Sequence, residues 1–405
     1  MSNRIKQELE KLQTQLKKEV QENILPFWLD KKDTNNGGFF GLIKENTDKT
    51  AKKGLVMSAR HMWSFSCAYK NFANSEYKDA ADHAYDFMIK SLYDREHKGF
   101  FWSCDYRGEK EESIKKVYGN AFAIYALAEY YEISKNKQAI TIAWETYDIL
   151  ETICKDKKHN GYYEAFDREW ATPIPEPLGE EDLGCPKSMN THLHILEAYS
   201  TLYRITGDKK VAEAIENLLK ILTSHILKDK VHLGLYFSED WKRLDKIISY
   251  GHDIEASWLL TEAAELLWQD KLPEDFKKLI SAITEFYLDY LTENNYSLPN
   301  ERREDNSMDE ERVWWVQAEA FVGMLNAYQL FKRKEYLTTA IKVWEFIENY
   351  ISDKDKGEWY WSVTKEGIPV QGHPKGGMWK SSYHNTRACI EGINRINHII
   401  ETEEI

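Results

Sequence analysis

The sequence predicts an all-α chain in which six helical hairpins close into a ring. Three observations carry this reading. Short glycine-plus-aromatic strings recur: Gly37-Gly38-Phe39-Phe40-Gly41, Gly99-Phe100-Phe101-Trp102, Gly161-Tyr162-Tyr163, Gly234-Leu235-Tyr236-Phe237, Tyr296-Ser297-Leu298 and Gly357-Glu358-Trp359-Tyr360-Trp361. They are spaced by about 61, 62, 73, 62 and 61 residues, a longer period than most solenoid units. Between consecutive strings lie two segments with apolar residues at i, i+3, i+4 and i+7, the signature of a half-buried helix. Finally, inserts that repeat along one edge resemble the walls of a central mouth, which favours a closed ring over an open superhelix. The expected architecture is an (α/α)6 barrel with short β-strands or loops at one end.

In chain order, Met1 to Val20 alternates charges with Leu and Ile at helical spacing and has no continuous apolar core, so it reads as neither a signal peptide nor a membrane span, and the first helix is expected over 3–28. The same periodicity predicts helices over 54–72, 75–93, 117–134, 136–154, 186–206, 209–227, 251–268, 273–293, 310–331, 334–351 and 381–402. The strings between them are too short and too β-prone for helix and read as strands or tight loops. Four prolines, Pro173, Pro175, Pro177 and Pro186, fall within Ala171 to Lys187, a loop long enough to border the mouth. Glu301 to Arg312 reads as a charged, solvated loop. No linker interrupts the repeat, so residues 1–405 are expected to form a single domain.

The formal net charge of −13 argues against a nucleic-acid or anionic-membrane surface, both of which need clustered Lys and Arg. Five scattered cysteines without C-x-x-C spacing point to a reducing, cytoplasmic setting. The oligomeric expectation is a monomer or weak homodimer, because a modest interface leaves no trace in sequence. Aromatic residues make up 13% of the chain, with 14 Trp, and aromatic faces are what sugar rings stack on, although most rings are needed for core.

Five stretches carry polar groups suited to chemistry. In Ser249 to Leu260 a helix starts, and His252 and Glu255 sit three residues apart on one face; the imidazole is either a base held neutral by the helix N-terminus or a structural partner of its own glutamate. Asn190 and His194, four apart, share a face inside Met189 to Tyr199, again as a site or as a capped core histidine. In Arg312 to Glu319, Trp315 and Glu319 share a face, a pattern more often core than site. Trp379 to Arg387 enters the last helix with His384 near the cap, repeating the position of His252 in another hairpin. Arg60 lies among Leu55, Met62 and Trp63, and a guanidinium there needs a carboxylate or a ligand oxygen. Three histidines raise the question of zinc, but no zincin spacing is present and no metal is expected. Nor is there a G-x-S-x-G element or a P-loop. Glycoside hydrolysis remains the rival chemistry, although the junctions carry histidines more consistently than carboxylates.

The strings Ser-Tyr-Gly-His-Asp-Ile-Glu-Ala-Ser-Trp-Leu-Leu, Ser-Met-Asn-Thr-His-Leu-His, Trp-Trp-Val-Gln-Ala-Glu-Ala and Trp-Lys-x-x-Tyr-His-Asn-x-Arg resemble those of the N-acylglucosamine 2-epimerase superfamily, and within it the enzymes acting on β-1,4-linked disaccharides. The likeness runs from Asn23 to the C-terminus. It implies a ring of six helical hairpins, no cofactor, and a sugar substrate, either a disaccharide such as cellobiose or lactose or a free hexose. By resemblance His252 and His384 are the acid/base pair, His194 assists near the ring oxygen and O1, Glu255 orients its neighbouring histidine, and Arg60 meets the developing oxyanion. Tyr118, Phe122, Asn190, Trp315 and Trp379, with Glu301, are implied to hold the reducing-end sugar.

Those residue types suit the reaction. The C2 hydrogen of an aldose is acidic only beside an open-chain aldehyde, so the ring must open first. One imidazole then removes the C2 proton to give a cis-enediolate and another returns a proton to the opposite face. The chain departs from the family pattern at His61-Met62, where Ile-Leu is usual, at Lys116, where histidine is common, and at Ser381-Ser382, which replace Gly-Pro or Cys-Pro. The last change bears on whether two sugars or one are preferred, so a D-mannose/D-glucose 2-epimerase is the alternative, ahead of an aldose-ketose isomerase or a sugar-binding ring without activity.

Overall fold

Five of the helices are buried almost all round, the last helix is so over its first eight residues, and the rest are amphipathic, and that division sets the architecture. A helix without a polar face must be surrounded, while an amphipathic one can close the outside. The computed structural model describes residues 3–180, 182–227, 229–269 and 271–403. In chain order the helices are α1 (residues 3–29), α2 (Leu55–Phe72), α3 (75–92), α4 (Val117–Ser134), α5 (137–154), α6 (Met189–Thr206), α7 (209–226), α8 (Tyr250–Trp268), α9 (Glu274–Glu293), α10 (Trp314–Phe331), α11 (334–351) and α12 (Tyr383–Glu403). The even-numbered helices form the inner ring: each packs on the next, and α12 packs back on α2. Each odd-numbered helix covers the inner helix before it, and α1 covers α12, so the first and last helices form one hairpin across the closure. The expected (α/α)6 barrel is the observed fold.

The strands all lie at the end of the ring where the inner helices begin. Lys53–Gly54, Lys115–Lys116, Lys187–Ser188, Ile248–Ser249 and Arg312–Val313 each lead into an inner helix. They pair antiparallel with Ser103–Cys104, Ala165–Phe166, Tyr236–Phe237, Glu301–Arg302 and Ser362–Val363, in the loop of the following repeat. Such pairing consumes the backbone groups of residues 187–188 and 312–313, which is why α6 and α10 start at Met189 and Trp314 instead of the expected 186 and 310. It also corrects the reading of Glu301 to Arg312 as a plain loop. Glu301–Arg302 pairs with Met308–Asp309 in a small hairpin joined to Ile248–Ser249, and only its tip is solvated. Helix α1 is likewise not uniform, since Glu19–Ile24 is a π turn.

The glycine-aromatic strings are fastened by polar residues that repeat with them. Asp33, Asp94, Asp156 and Asp353 each accept two backbone N–H groups of the turn that follows. Each also pairs with a lysine, at 2.7, 3.1, 2.7 and 2.6 Å for Lys53, Lys115, Lys187 and Lys375. The fourth residue of the next inner helix then reaches out to the string. Asn120 Oδ1 accepts from the Phe100 N–H, His192 Nε2 from Tyr162, Asp253 Oδ1 from Leu233, and Gln317 Oε1 from Leu298, at 2.8 to 2.9 Å. Gly161 serves this contact directly: its φ is +82°, and a Cβ there would lie 2.8 Å from His192 Nε2. Closure is sealed by buried Glu358, which accepts from Trp28 of α1 and from Lys380 and Asn385 at the start of α12.

Candidate active site

Because every inner helix starts at the same end, their first two turns converge on one cavity of about 320 Å³. The second residue of four of these helices, Tyr118, Asn190, Trp315 and His384, lines it, as do the sixth residues Arg60, His194 and Glu255 and the third residue His252. Second and sixth positions share a helical face, which here is the face turned to the axis. Trp379, on the approach to α12, completes the predicted set in the wall.

Two predicted residues stand elsewhere. Phe122 lies behind the wall, with its ring 4.8 Å from that of His194 and 4.6 Å below the Arg60 guanidinium. Glu301 is paired in its strand with Ser249 and Asp309 and is not in the lining, whereas its neighbour Asn300 is, as strand alternation requires. Sequence reasoning missed Asp182, Asn300, Val313, Trp314 and Trp361, all in the wall. Asp182 comes from the proline-rich loop, where its two oxygens accept from Tyr236 Oη and the Gly179 N–H at 2.6 and 2.7 Å.

His252 and His384 both pack on Trp315, at ring-centroid distances of 4.7 and 5.6 Å, so the two imidazoles are separated by no more than the sum of these. Each cavity histidine has its Nδ1 committed to the protein, leaving Nε2 to face the cavity. His384 Nδ1 meets Glu319 Oε1 at 2.7 Å, His194 Nδ1 meets Glu197 Oε2 at 2.7 Å, and His252 Nδ1 meets Ser249 Oγ at 2.7 Å. Glu255 therefore does not orient His252. In the first helical turn the N-cap serine is three residues back from His252 and takes its ring, while Glu255 points inward, its Oε1 2.5 Å from Arg387 Nη2. The histidine–glutamate pair at i, i+3 that does form is His194 with Glu197.

Electrostatics follow from burial around one cation. Arg387 is bonded through Nη1 to Glu197 and through Nη2 to Glu255 and, at 2.7 Å, to Glu319. Burial opposes ionisation of Glu197, but Arg387, His194 and Tyr383 outweigh it and hold its carboxyl down at about 2. Burial and the nearby Glu319 push Glu255 the other way, above the usual carboxylate range. Burial, with His194 and Arg60 adding to it, pushes the His252 imidazole down to about 3, and burial with Arg60 and Arg387 lowers His384. Glu255, Glu319 and His384 place donor atoms within 4.8 Å of one another, as a metal site would, but the Arg387 guanidinium already bridges the two carboxylates. Arg60 is buried and, among the described residues, bonds only neutral groups, the Trp379 carbonyl at 2.8 Å and Tyr118 Oη at 3.0 Å, with no partner for its Nε. Asn190 Oδ1 is also buried without a partner. A guanidinium without an anion, two neutral imidazoles and an aromatic wall make a site for moving protons on a polar molecule that develops negative charge.

The chain belongs to the N-acylglucosamine 2-epimerase (GlcNAc 2-epimerase) family, whose profile matches residues 37–388. Within that family it is similar to cellobiose 2-epimerases. The structure of the one from Spirochaeta thermophila superposes with a TM-score of 0.94 at 53% identity, covering 97% of this chain and 98% of that one. The cellobiose 2-epimerase of Dictyoglomus turgidum is 40% identical over 96% of this chain and all of its own. More distantly, a D-mannose isomerase from Marinomonas mediterranea is 25% identical over 88% of this chain and 90% of its own length.

Proposed function

We propose that the chain is a cofactor-independent 2-epimerase that interconverts glucose and mannose at the reducing end of β-1,4-linked disaccharides such as cellobiose and lactose. The observation that carries this reading is that His252 and His384 both pack on Trp315 and line one cavity, each with Nδ1 bound to the protein and Nε2 available. Similarity to cellobiose 2-epimerases supports a disaccharide over a free hexose. His194, backed by ionised Glu197, is placed to move the O1 proton to the ring oxygen, so that the C1–O5 bond breaks and C1 becomes an aldehyde. One of the two flanking imidazoles then removes the C2 proton. The electron pair forms the C1–C2 double bond, and O1 becomes an oxyanion facing Arg60, whose missing anionic partner it supplies. The other imidazole enters the step protonated at Nε2 and returns that proton to the opposite face of C2, so the pair ends with one proton, as it began, now on the imidazole that acted as base, and ring closure follows. Burial keeps the base neutral at neutral pH, which base catalysis requires. Trp315 and Trp379 give the apolar faces for sugar rings, and Asn190 Oδ1 an acceptor for a hydroxyl.

The same reading takes residues 1–405 as one epimerase domain acting in the cytoplasm as a monomer or weak homodimer, without nucleic-acid or membrane partners. It is supported by the acidic balance and by five buried, unbridged cysteines. Among the described residues no helix is long and apolar enough to cross a membrane. Incubation with cellobiose, lactose and mannose, followed by product analysis, tests the activity. The 2-epimer of each disaccharide is expected. A ketose would point to an isomerase, free glucose to a hydrolase, and unchanged sugar to a binding protein.

A further inference from the structure

We propose that Arg387 is the positioning residue of this site, one guanidinium that aims two of its three histidines at once from behind the wall. Arg387 is 1% exposed and is not part of the cavity lining. Its Nη1 bonds Glu197, the carboxylate that holds His194; its Nη2 bonds Glu319, the carboxylate that holds His384. The guanidinium plane is fixed between Trp258 and Tyr383, at 4.7 and 4.5 Å from their ring centres, and Tyr383 Oη donates to Glu197 at 2.5 Å. A single planar fork therefore sets carboxylates from α6, α8 and α10, which no ammonium can reproduce.

Without that fork, three buried carboxylates face one another. Like charges in so dry a setting cannot all stay ionised: Glu255, already pushed up, takes a proton first, and Glu319 or Glu197, left without their cation, follows. A protonated glutamate donates where it used to accept, and the imidazole it held loses the tautomer that leaves Nε2 as a base. His252 is exempt, because its partner is Ser249. The inference rests on the histidine roles proposed above, and it separates them: two depend on Arg387 and one does not.

The structure also offers a way in for a replacement cation. A second cavity, of about 330 Å³, lies on the far side of Arg387, lined among others by Trp63, Glu197, Ser200 and Glu262. Trp63 Nε1, Ser200 Oγ and Arg387 Nε are buried there without partners. Past Glu262, Glu391 and Asn394 it adjoins a depression of about 450 Å³ at the opposite end of the ring from the mouth. A small cation can reach the position of the Arg387 head group by that route.

The test compares the wild-type chain with Arg387→Ala and Arg387→Lys, measuring kcat and KM for cellobiose epimerisation and the melting curve of each. Arg387→Lys is expected to fold and to lose about 30-fold or more in kcat with KM changed less than about threefold, since the residue does not touch the cavity. Arg387→Ala is expected to lose about 10³-fold in kcat and to recover about tenfold or more in millimolar guanidinium, but not in sodium chloride of equal ionic strength. In both variants the downfield Nδ1 proton signals of His194 and His384 should be lost, while that of His192, which donates to the Ser188 carbonyl, persists as an internal control. If Arg387→Ala does not fold, Arg387→Lys decides alone. A lysine variant within about threefold of the wild-type kcat, or a folded alanine variant that guanidinium does not reactivate, would overturn the inference. A wild-type chain without 2-epimerase activity would instead remove the reading on which it rests.

Discussion

Replacing His252 or His384 by alanine removes one of the two imidazoles that pack on Trp315, to which the proposed mechanism gives the exchange of the C2 proton. Each variant is expected to lose about 10³-fold or more in kcat while its circular dichroism is unchanged. Activity within tenfold of wild type in either would take that residue out of the mechanism. Glu319→Gln keeps the shape but removes the charge that fixes the His384 tautomer, and a loss of about 100-fold or more in kcat with little change in KM is expected. An unimpaired Gln variant would mean that the Nδ1 contact is ornamental. The histidines, Arg60, Asn190 and Trp315 were legible in sequence because each sits in a compact polar motif at a helix start. Arg387 was not: its partners Glu197 and Glu319 are 190 and 68 residues away on other helices, and nothing local marks a side chain as the centre of a network; Glu197 did carry a local signal, its i, i+3 spacing from His194, which went unread. Glu255 shows the converse error, where i, i+3 spacing alone suggested a partner that the N-cap serine takes instead.

At the scale of the element, the repeat was read from glycines and aromatic residues, and twelve helices at nearly the right places follow from their periodicity. What holds the repeat in register is polar and was not read. The aspartate before four of the strings, the lysine that meets it and the fourth residue of four inner helices are ordinary polar residues in isolation, and they become a pattern only once the ring brings successive repeats together. Asn120 is the clearest case, because it satisfies both the N–H and the carbonyl of Phe100 in a buried position. Asn120→Ala is expected to destabilise the chain by about 2–3 kcal/mol in urea unfolding, since two backbone groups are left buried and unpaired. A loss below about 0.5 kcal/mol would show that these side chains only accompany the fold.

For the whole molecule, interior imidazoles couple stability to pH. His61 is buried against Phe39, with ring centroids 4.1 Å apart, and burial lowers its pKa to about 3. Its unfolded value is near 6.5, so between these limits the unfolded chain binds the extra proton. The stability that His61 contributes is therefore complete above pH 6.5 and is lost as pH falls toward 3, by at most about 1.4 kcal/mol per pH unit. A His61→Phe variant removes this loss, so its melting temperature relative to wild type should rise steadily as pH is lowered from 6.5 to about 4. A constant difference across that range would mean that His61 is already charged in the fold.

The central claim is that two bases on opposite sides of one sugar carbon do the chemistry, and the earliest label in the product reads it most directly. Cellobiose is mixed with the wild-type chain in D2O and sampled by NMR before equilibrium. With two bases, the proton added to C2 comes from an imidazole that has exchanged with solvent. The new epimer should then carry deuterium at C2 while the remaining cellobiose still carries hydrogen. Product with hydrogen retained at C2, or deuterium appearing equally in unconverted cellobiose from the start, would contradict the account.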